Sequence, residues 1–361
     1  MTNTKLATIM IILLSATVAV VPIALFNFGA GSPKVSHHTS SPFSLPPKKG
    51  SPSTLSSIGF YTCSATSPCP MGIVDYGTNR KLTYSYEASS FVSWANFTKL
   101  QMGPSSIGCI SYQTNCMTLQ QNLVAYNVYE QGSSGGPVAG EYWIQNVAFI
   151  ALSGSNLVIN QLDNIWNFSA PNAMLSGTIY PNLSGVCAQG YYGGQPQFWY
   201  CFGPQQLWMT VPFQIKLTTT IGVLQSGSHT GSSYVTFQMA AYENGKLIWT
   251  DTFDEVAFNG LAPSSPYFYV SGKTMNPFGS FNDAETVFAG PGGGTSINVT
   301  LIRANLTEAY TALGSSILSR IPHAWSAGSD TAEAAFGIKM LRPTVGVGKA
   351  THGIDNNNQL W

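Results

Sequence analysis

Charge is what this chain of 361 residues has least of. Its 15 Lys and Arg and 15 Asp and Glu make up 8% of the sequence, against roughly 25% in an ordinary soluble domain. The net charge is zero and no Lys/Arg cluster is present, so the chain lacks the concentrated cations that displace counterions from nucleic acid. Hydrophobic residues at 44% are ordinary, so the chain is not disordered; Ser, Thr, Asn, Gln, Gly and Tyr replace the missing charges. With every carboxylate protonated and all five His charged, the net charge reaches only +20. Acid unfolding comes largely from protonating paired carboxylates and from repulsion among the remaining cations. Few of either are present, a composition suited to acid.

Other absences exclude other chemistries. The six cysteines include no Cys-x-x-Cys, and no His stands near a cysteine pair, so zinc-ligand spacing is missing and no cofactor is expected. Gly290-Pro291-Gly292-Gly293-Gly294 is not followed by Lys-Ser/Thr and is read as a sharp turn, not a phosphate loop. Gly132-Ser133-Ser134-Gly135-Gly136 matches G-x-S-x-G, but strand-like sequence stands on both sides. A nucleophile elbow needs a helix after it, so a hairpin loop is expected here.

After Lys5 an apolar run extends from Leu6 to Phe26 and is followed by small residues near Ala30. It reads either as a cleaved secretory signal or as a membrane anchor. No second apolar run reaches ~18 residues, so the remainder is expected outside the cell, secreted or tethered. The cysteines fall into three close pairs, Cys63 with Cys69, Cys109 with Cys116 and Cys187 with Cys201. Six cysteines allow 15 pairings; local disulfides are expected in that compartment. Sequons at Asn96, Asn167, Asn182, Asn298 and Asn305 suit an exported glycoprotein.

Residues 31–57 are rich in Ser, Pro, Lys and His and read as a linker or pro-segment. Beyond them the apolar period is two. Val211, Phe213, Ile215 and Leu217 alternate with polar residues, as do Val235, Phe237, Met239 and Ala241, and Ile297, Val299 and Leu301 turn Asn298 and Thr300 outward. An all-β chain of mainly antiparallel strands is predicted, in two sandwich-like domains over 58–205 and 206–345, with a polar tail over 346–361. One exception is expected: Leu306, Tyr310, Leu313 and Ile317, spaced four, three and four apart, predict a short helix within 305–320.

Carboxyl groups are the remaining route to chemistry. Asp75, Asp163, Asp283, Glu285, Asp330 and Glu333 sit in apolar or Gly-rich settings. Two neighbouring acids cannot both ionise cheaply, so they share a proton: one takes a proton from water while the other gives one to a substrate carbonyl. Each acid taken singly also fits a turn or a strand end. Asp330-Thr331-Ala332 resembles the Asp-Thr-Gly triplet of pepsin-type proteases, but it occurs once and follows no apolar strand.

Five segments, in order, resemble the thermopsin family of archaeal acid peptidases. They are Pro70-Met71-Gly72-Ile73-Val74-Asp75-Tyr76-Gly77, Tyr142-Trp143-Ile144-Gln145-Asn146-Val147, Asn164-Ile165-Trp166-Asn167-Phe168-Ser169, the stretch from Glu285 to Gly294, and Gly328-Ser329-Asp330-Thr331-Ala332-Glu333. The last departs from the family at Ala332, where Gly is usual; Ala is strained if that backbone needs a positive φ. The resemblance implies a secreted, metal-free, aspartic-type endopeptidase of all-β fold acting on polypeptides in hot acid. Among matching positions the ranking is Asp330 and Glu333, then Asp283 and Glu285, then Asp75. Gln145 is a candidate orienting partner, because an amide beside a carboxylic acid can hold water and stabilise an oxyanion; its alternation with Trp143 and Val147 equally fits the wet face of a strand. The rival reading is a non-catalytic cell-surface sandwich binding glycan or envelope components, motivated by 12% aromatic residues and the Tyr/Trp/Gln-rich stretch from Tyr191 to Trp208.

Overall fold

The computed structural model describes residues 70–79, 81–105, 115–131, 135–168, 179–181, 186–192, 195–275, 281–292, 295–328, 333–338, 344–346 and 349–355. The apolar N-terminal segment and the 31–57 linker lie outside these residues. Among the described residues no helix is long and apolar enough to cross a membrane.

The strands are β1 (Met71–Asp75), β2 (Ser85–Ser105), β3 (Cys116–Gln131), β4 (Pro137–Ser153), β5 (Asn156–Asn167), β6 (Ile179–Pro181), β7 (Val186–Tyr192), β8 (Gln195–Met209), β9 (Phe213–Val223) and β10 (Ser232–Glu243). They continue as β11 (Lys246–Leu261), β12 (Tyr267–Met275), β13 (Phe281–Asn282), β14 (Ala284–Ala289), β15 (Ser296–Ala312), β16 (Leu318–Arg320), β17 (Trp325–Ala327), β18 (Ala334–Phe336), β19 (Thr344–Gly346) and β20 (Lys349–Asp355). The fold is all-β, as the period-two runs predict. The strands form one continuous sheet whose pairings are antiparallel except for β15 with β18.

That sheet doubles back into two layers. The first runs β1–β14–β3–β4–β5–β8–β7 and the second β20–β15–β2–β9–β10–β11–β6. β12 pairs with both β2 and β3 and forms the corner. Strands from either side of residue 205 are interleaved, and one apolar cluster from Ile73 to Ala335 fills the space between the layers. Phe97 stacks on Phe213 within the second layer and meets Phe288 of the first edge-on. Burying rings of this size contributes roughly 1.5–3 kcal/mol each.

Residues 305–312 are the second half of β15, not a helix. Leu306, Glu308 and Tyr310 share the face toward the other layer, a period of two that the spacing of Leu313 and Ile317 obscured; Ile317 is exposed beyond a turn at Gly314. Thr307 and Thr311, β-branched, also fit a strand better than a helix. The strand-like flanks of the G-x-S-x-G segment are β3 and β4, antiparallel neighbours whose ends pair Gln131 with Pro137; Gly132, Ser133 and Ser134 lie outside the described residues.

Cys187 and Cys201 are joined across β7 and β8, and Cys116 is disulfide-bonded too. Cys63, Cys69 and Cys109 lie outside the described residues. Asn96, Asn298 and Asn305 are exposed, whereas Asn167 is buried beneath Tyr142 and is closed to glycosylation in the folded chain; Asn182 lies outside the described residues.

Candidate active site

Side chains alternate across a strand, so each cross-strand row of the first layer has an inner and an outer set. Register puts Val74, Glu285, Asn122, Gln145, Asn164 and Tyr200 in one row across β1, β14, β3, β4, β5 and β8. These side chains face away from the second layer: Val74 packs with Tyr76, Val287 and Trp325, while Trp143, Trp166 and Phe198 cluster with Tyr200 on the same face. In an all-apolar row a carboxyl would be stranded. Here three amides meet it in series: Asn122 Nδ2 donates to Glu285 Oε2 at 3.0 Å, Gln145 Nε2 to Asn122 Oδ1 at 3.0 Å, and Asn164 Nδ2 to Gln145 Oε1 at 2.8 Å. Gln145 therefore lies on the face its alternation assigns, but it is covered and saturated with hydrogen bonds instead of wet. Exposure rises along the row from buried Glu285 to half-buried Asn164 and Tyr200.

Gly328 closes the other side of Glu285. It follows β17, which pairs with β1, and its N–H donates to Pro70 O at 3.0 Å. A Cβ on Gly328 would stand 2.9 Å from Glu285 Oε1 and 3.0 Å from Oε2. The obstacle would be the movable end of a side chain, so Gly328→Ala is expected to push the carboxyl off the amide row while the backbone stays folded. If Glu285 is catalytic, kcat should fall on the order of 10²-fold, the penalty for a misplaced reacting group, with thermal stability within about 1 kcal/mol of the unaltered protein. Enzyme kinetics and thermal melts on one preparation read both.

Asp75 is one residue along β1 from Val74 and points inward, away from Glu285. Tyr84 and Tyr86 donate to its two carboxyl oxygens at 2.6 and 2.9 Å, and the N–H of Gly77, which has a φ of +64°, donates at 2.9 Å. Burial nevertheless outweighs these donors and pushes the carboxyl up to about 6. Glu308, not anticipated from the sequence, is buried near Asp75. Burial first, then the charge of Asp75, and more weakly that of Glu285, raise it well above its usual range against a hydrogen bond from Thr286. Asp283 is buried between β13 and β14, and Glu333 is half-buried before β18. Asp330 lies outside the described residues. The structure thus links two of the sequence candidates, Glu285 and Gln145, through Asn122, and sets Asp75 on the opposite face.

A second acid pair sits between the layers. Asp163 of β5 and Asp254 of β11 are both buried. Burial, then the charge and hydrogen bonding of Asp254, hold Asp163 well above the carboxylate range, while burial pushes Asp254 up to about 6 and hydrogen bonds from Asp163 and Trp199 pull it down. Burial thus drives both carboxyls toward the protonated form. Cys187, Cys201 and Asp254 have ligand atoms within 4.8 Å of one another, but the two sulfurs are bonded to each other and offer no thiolate. This pair is enclosed between the layers and shielded from solvent.

The thermopsin family model matches residues 56–338, more than half the chain. The chain belongs to the thermopsin family. Thermopsin from Sulfolobus acidocaldarius is 23% identical to it over 319 residues, covering 86% of this chain and 88% of that protein. The matched region contains all five resembling segments, and in this thermopsin-family fold the first four and Gly328 of the fifth converge. β1, β4, β5 and β14 bring their residues into one row, and Gly328, after β17, stands beside Glu285 in it. Asn122 and Gln120 went unnoticed in the sequence because they stand in none of those segments. Three successive buried amides, Gln120-Gln121-Asn122, inside an otherwise apolar strand were the available signal.

Proposed function

We propose that the chain is a secreted acid endopeptidase in which Glu285 is a catalytic carboxyl and Asp330, two residues beyond Gly328 in the chain, is its partner acid. The observation that carries this reading is the convergence on Glu285 of the first four family segments and Gly328 of the fifth. Membership in the thermopsin family and the scarcity of titratable groups support the activity and its acidic range. In the proposed reaction the ionised form of Glu285, accepting from Asn122 on Oε2, takes a proton from water as the hydroxyl attacks the scissile carbonyl. The partner acid gives its proton to the carbonyl oxygen. On collapse of the tetrahedral intermediate Glu285 gives its proton to the amine nitrogen as the C–N bond breaks, and the partner acid takes a proton back from a hydroxyl of the diol, so the new carboxyl stays on the other fragment and both acids return to their starting states. Gln145 does not contact the oxyanion in this scheme, since both its N–H groups are engaged at 2.9 and 3.0 Å; its role is to hold Asn122.

Glycan binding finds less support, because the rings of Trp166 and Phe198 stack on each other, with centroids 4.2 Å apart, and offer little face to a sugar. Hydrolysis of an acid-unfolded protein at about pH 2 to 3, where a shared-proton pair is half-protonated, tests the proposal. Asp330→Asn is expected to lower kcat by about 10²-fold or more, and Glu333→Gln by far less. Unchanged turnover in Asp330→Asn would remove it from the pair.

A further inference from the structure

Amide oxygens and nitrogens are told apart by their hydrogen-bond partners, and here both ends of the row dictate the answer. At one end Glu285 can only accept from Asn122 when ionised. At the other, Thr118 Oγ1 is 2.8 Å from Gly290 O and 3.3 Å from Ala289 O, both pure acceptors, so the hydroxyl must donate there. Its oxygen is then an acceptor, and Gln120 Nε2 donates to it at 2.8 Å. That turns Gln120 Oε1 toward Gln145 Nε2 at 2.9 Å, and toward Asn122 Nδ2 more weakly at 3.4 Å. Gln145 is therefore oriented twice, from Gln120 and from Asn122, and its oxygen must face Asn164. None of these four amides can flip without placing two donors or two acceptors face to face.

The consequence reaches Glu285. Its Oε2 has a fixed N–H donor, so a proton on that oxygen would meet another hydrogen. A proton carried by this carboxyl must therefore sit on Oε1, the oxygen closest to Gly328. We propose that Asn164, Gln145, Gln120 and Asn122 form a directional amide relay that fixes which oxygen of Glu285 carries the proton, with Asn164 as a positioning residue at the half-buried end. This rests on Glu285 being the catalytic carboxyl.

Asn164→Asp tests the direction of the relay and not merely its presence. A protonated carboxyl can donate O–H to Gln145 Oε1 in place of the lost N–H, whereas an ionised one only accepts. Ionisation then sets two acceptors against each other and pushes Gln145 away from the introduced carboxylate, weakening its N–H bond to Asn122. The kcat of Asn164→Asp relative to the unaltered enzyme is expected to be near one at pH 2 and to fall about tenfold, one hydrogen bond's worth, by pH 5.5. Asn164→Leu should lower kcat by a similar factor at every pH, with KM little changed, and calorimetry on both variants shows whether folding is retained. A ratio for Asn164→Asp that stays level across this range overturns the relay. If that level ratio comes with Glu285→Gln inactive, the relay alone falls. If Glu285→Gln keeps full turnover, the catalytic assignment falls and takes the relay with it.

Discussion

Glu285→Gln is expected to lower kcat by about 10³-fold, within the range for loss of a positioned acid or base, while leaving KM and folding nearly unchanged. The reason lies in what glutamine keeps. Its carbonyl oxygen can still accept from Asn122 Nδ2, now 3.0 Å from Oε2, and its volume matches the space beside Gly328. What it loses is the ability to take a proton from water. Glu285→Asp separates charge from place: the carboxyl remains but retreats by one methylene from Asn122, and roughly 10²-fold is expected from displacement alone. Gln145→Leu should fall between the two, because it leaves Asn122 without its acceptor-side support and strands a buried carbonyl, costing about 1–3 kcal/mol. Turnover of Glu285→Gln equal to that of the unaltered chain, measured at pH 2 to 3 with KM and kcat resolved, would move the chemistry elsewhere in the fold. The nearest alternative acid cluster is then Asp75 with Glu308 on the inner face, which Asp75→Asn would address.

Strand faces were legible in the sequence wherever one face is apolar. Phe213, Ile215 and Leu217 point inward as their alternation predicts, and so do Val235, Phe237 and Met239. Legibility failed where an acid occupies an inward position. Glu308 interrupts the run of Ile302, Ala304 and Leu306, and with that interruption the spacing of Leu306, Tyr310, Leu313 and Ile317 looked helical. The same break, Asp254 ahead of Val256 and Phe258, hid the second member of the interlayer acid pair. For the site, sequence supplied Glu285 and Gln145 as types of residue in resembling segments. It could not supply Asn122, because pairing Glu285 with a residue 163 positions away depends on register between distant strands. Register is decided by the whole sheet.

The buried acids make stability itself depend on pH in an unusual direction. Asp75 and Asp254 are pushed up to about 6, chiefly by burial, from ordinary aspartate values, and Asp163 and Glu308 are raised well above theirs. A group whose folded form holds its proton more tightly than the unfolded chain contributes no penalty while both states are protonated. As pH rises past about 4 the unfolded chain sheds the proton and the folded one does not. Stability then falls by about 1.4 kcal/mol per unit until the folded value is passed, roughly 3 kcal/mol for a group at about 6. The melting temperature is therefore expected to be highest near pH 3 and to decline between pH 4 and 6, with Asp163 and Glu308 adding to the decline. Around the interlayer pair the groups that face one another are Asp163 on β5, Asp254 and Glu255 on β11, and the indole of Trp199 on β8, whose N–H is 3.4 Å from Asp254 Oδ2. No cation appears among these partners, so only hydrogen bonds offset the cost of ionisation. Replacing both acids, Asp163→Asn with Asp254→Asn, keeps their shape and removes the titration. The double variant should melt close to the unaltered protein at pH 3 and several degrees above it at pH 7, taking ~2–4 °C per kcal/mol for a domain of this size. Thermal melts across pH 2 to 8 check this, and a melting temperature that rises toward neutrality in the unaltered chain would show that these carboxyls are not held protonated between the layers.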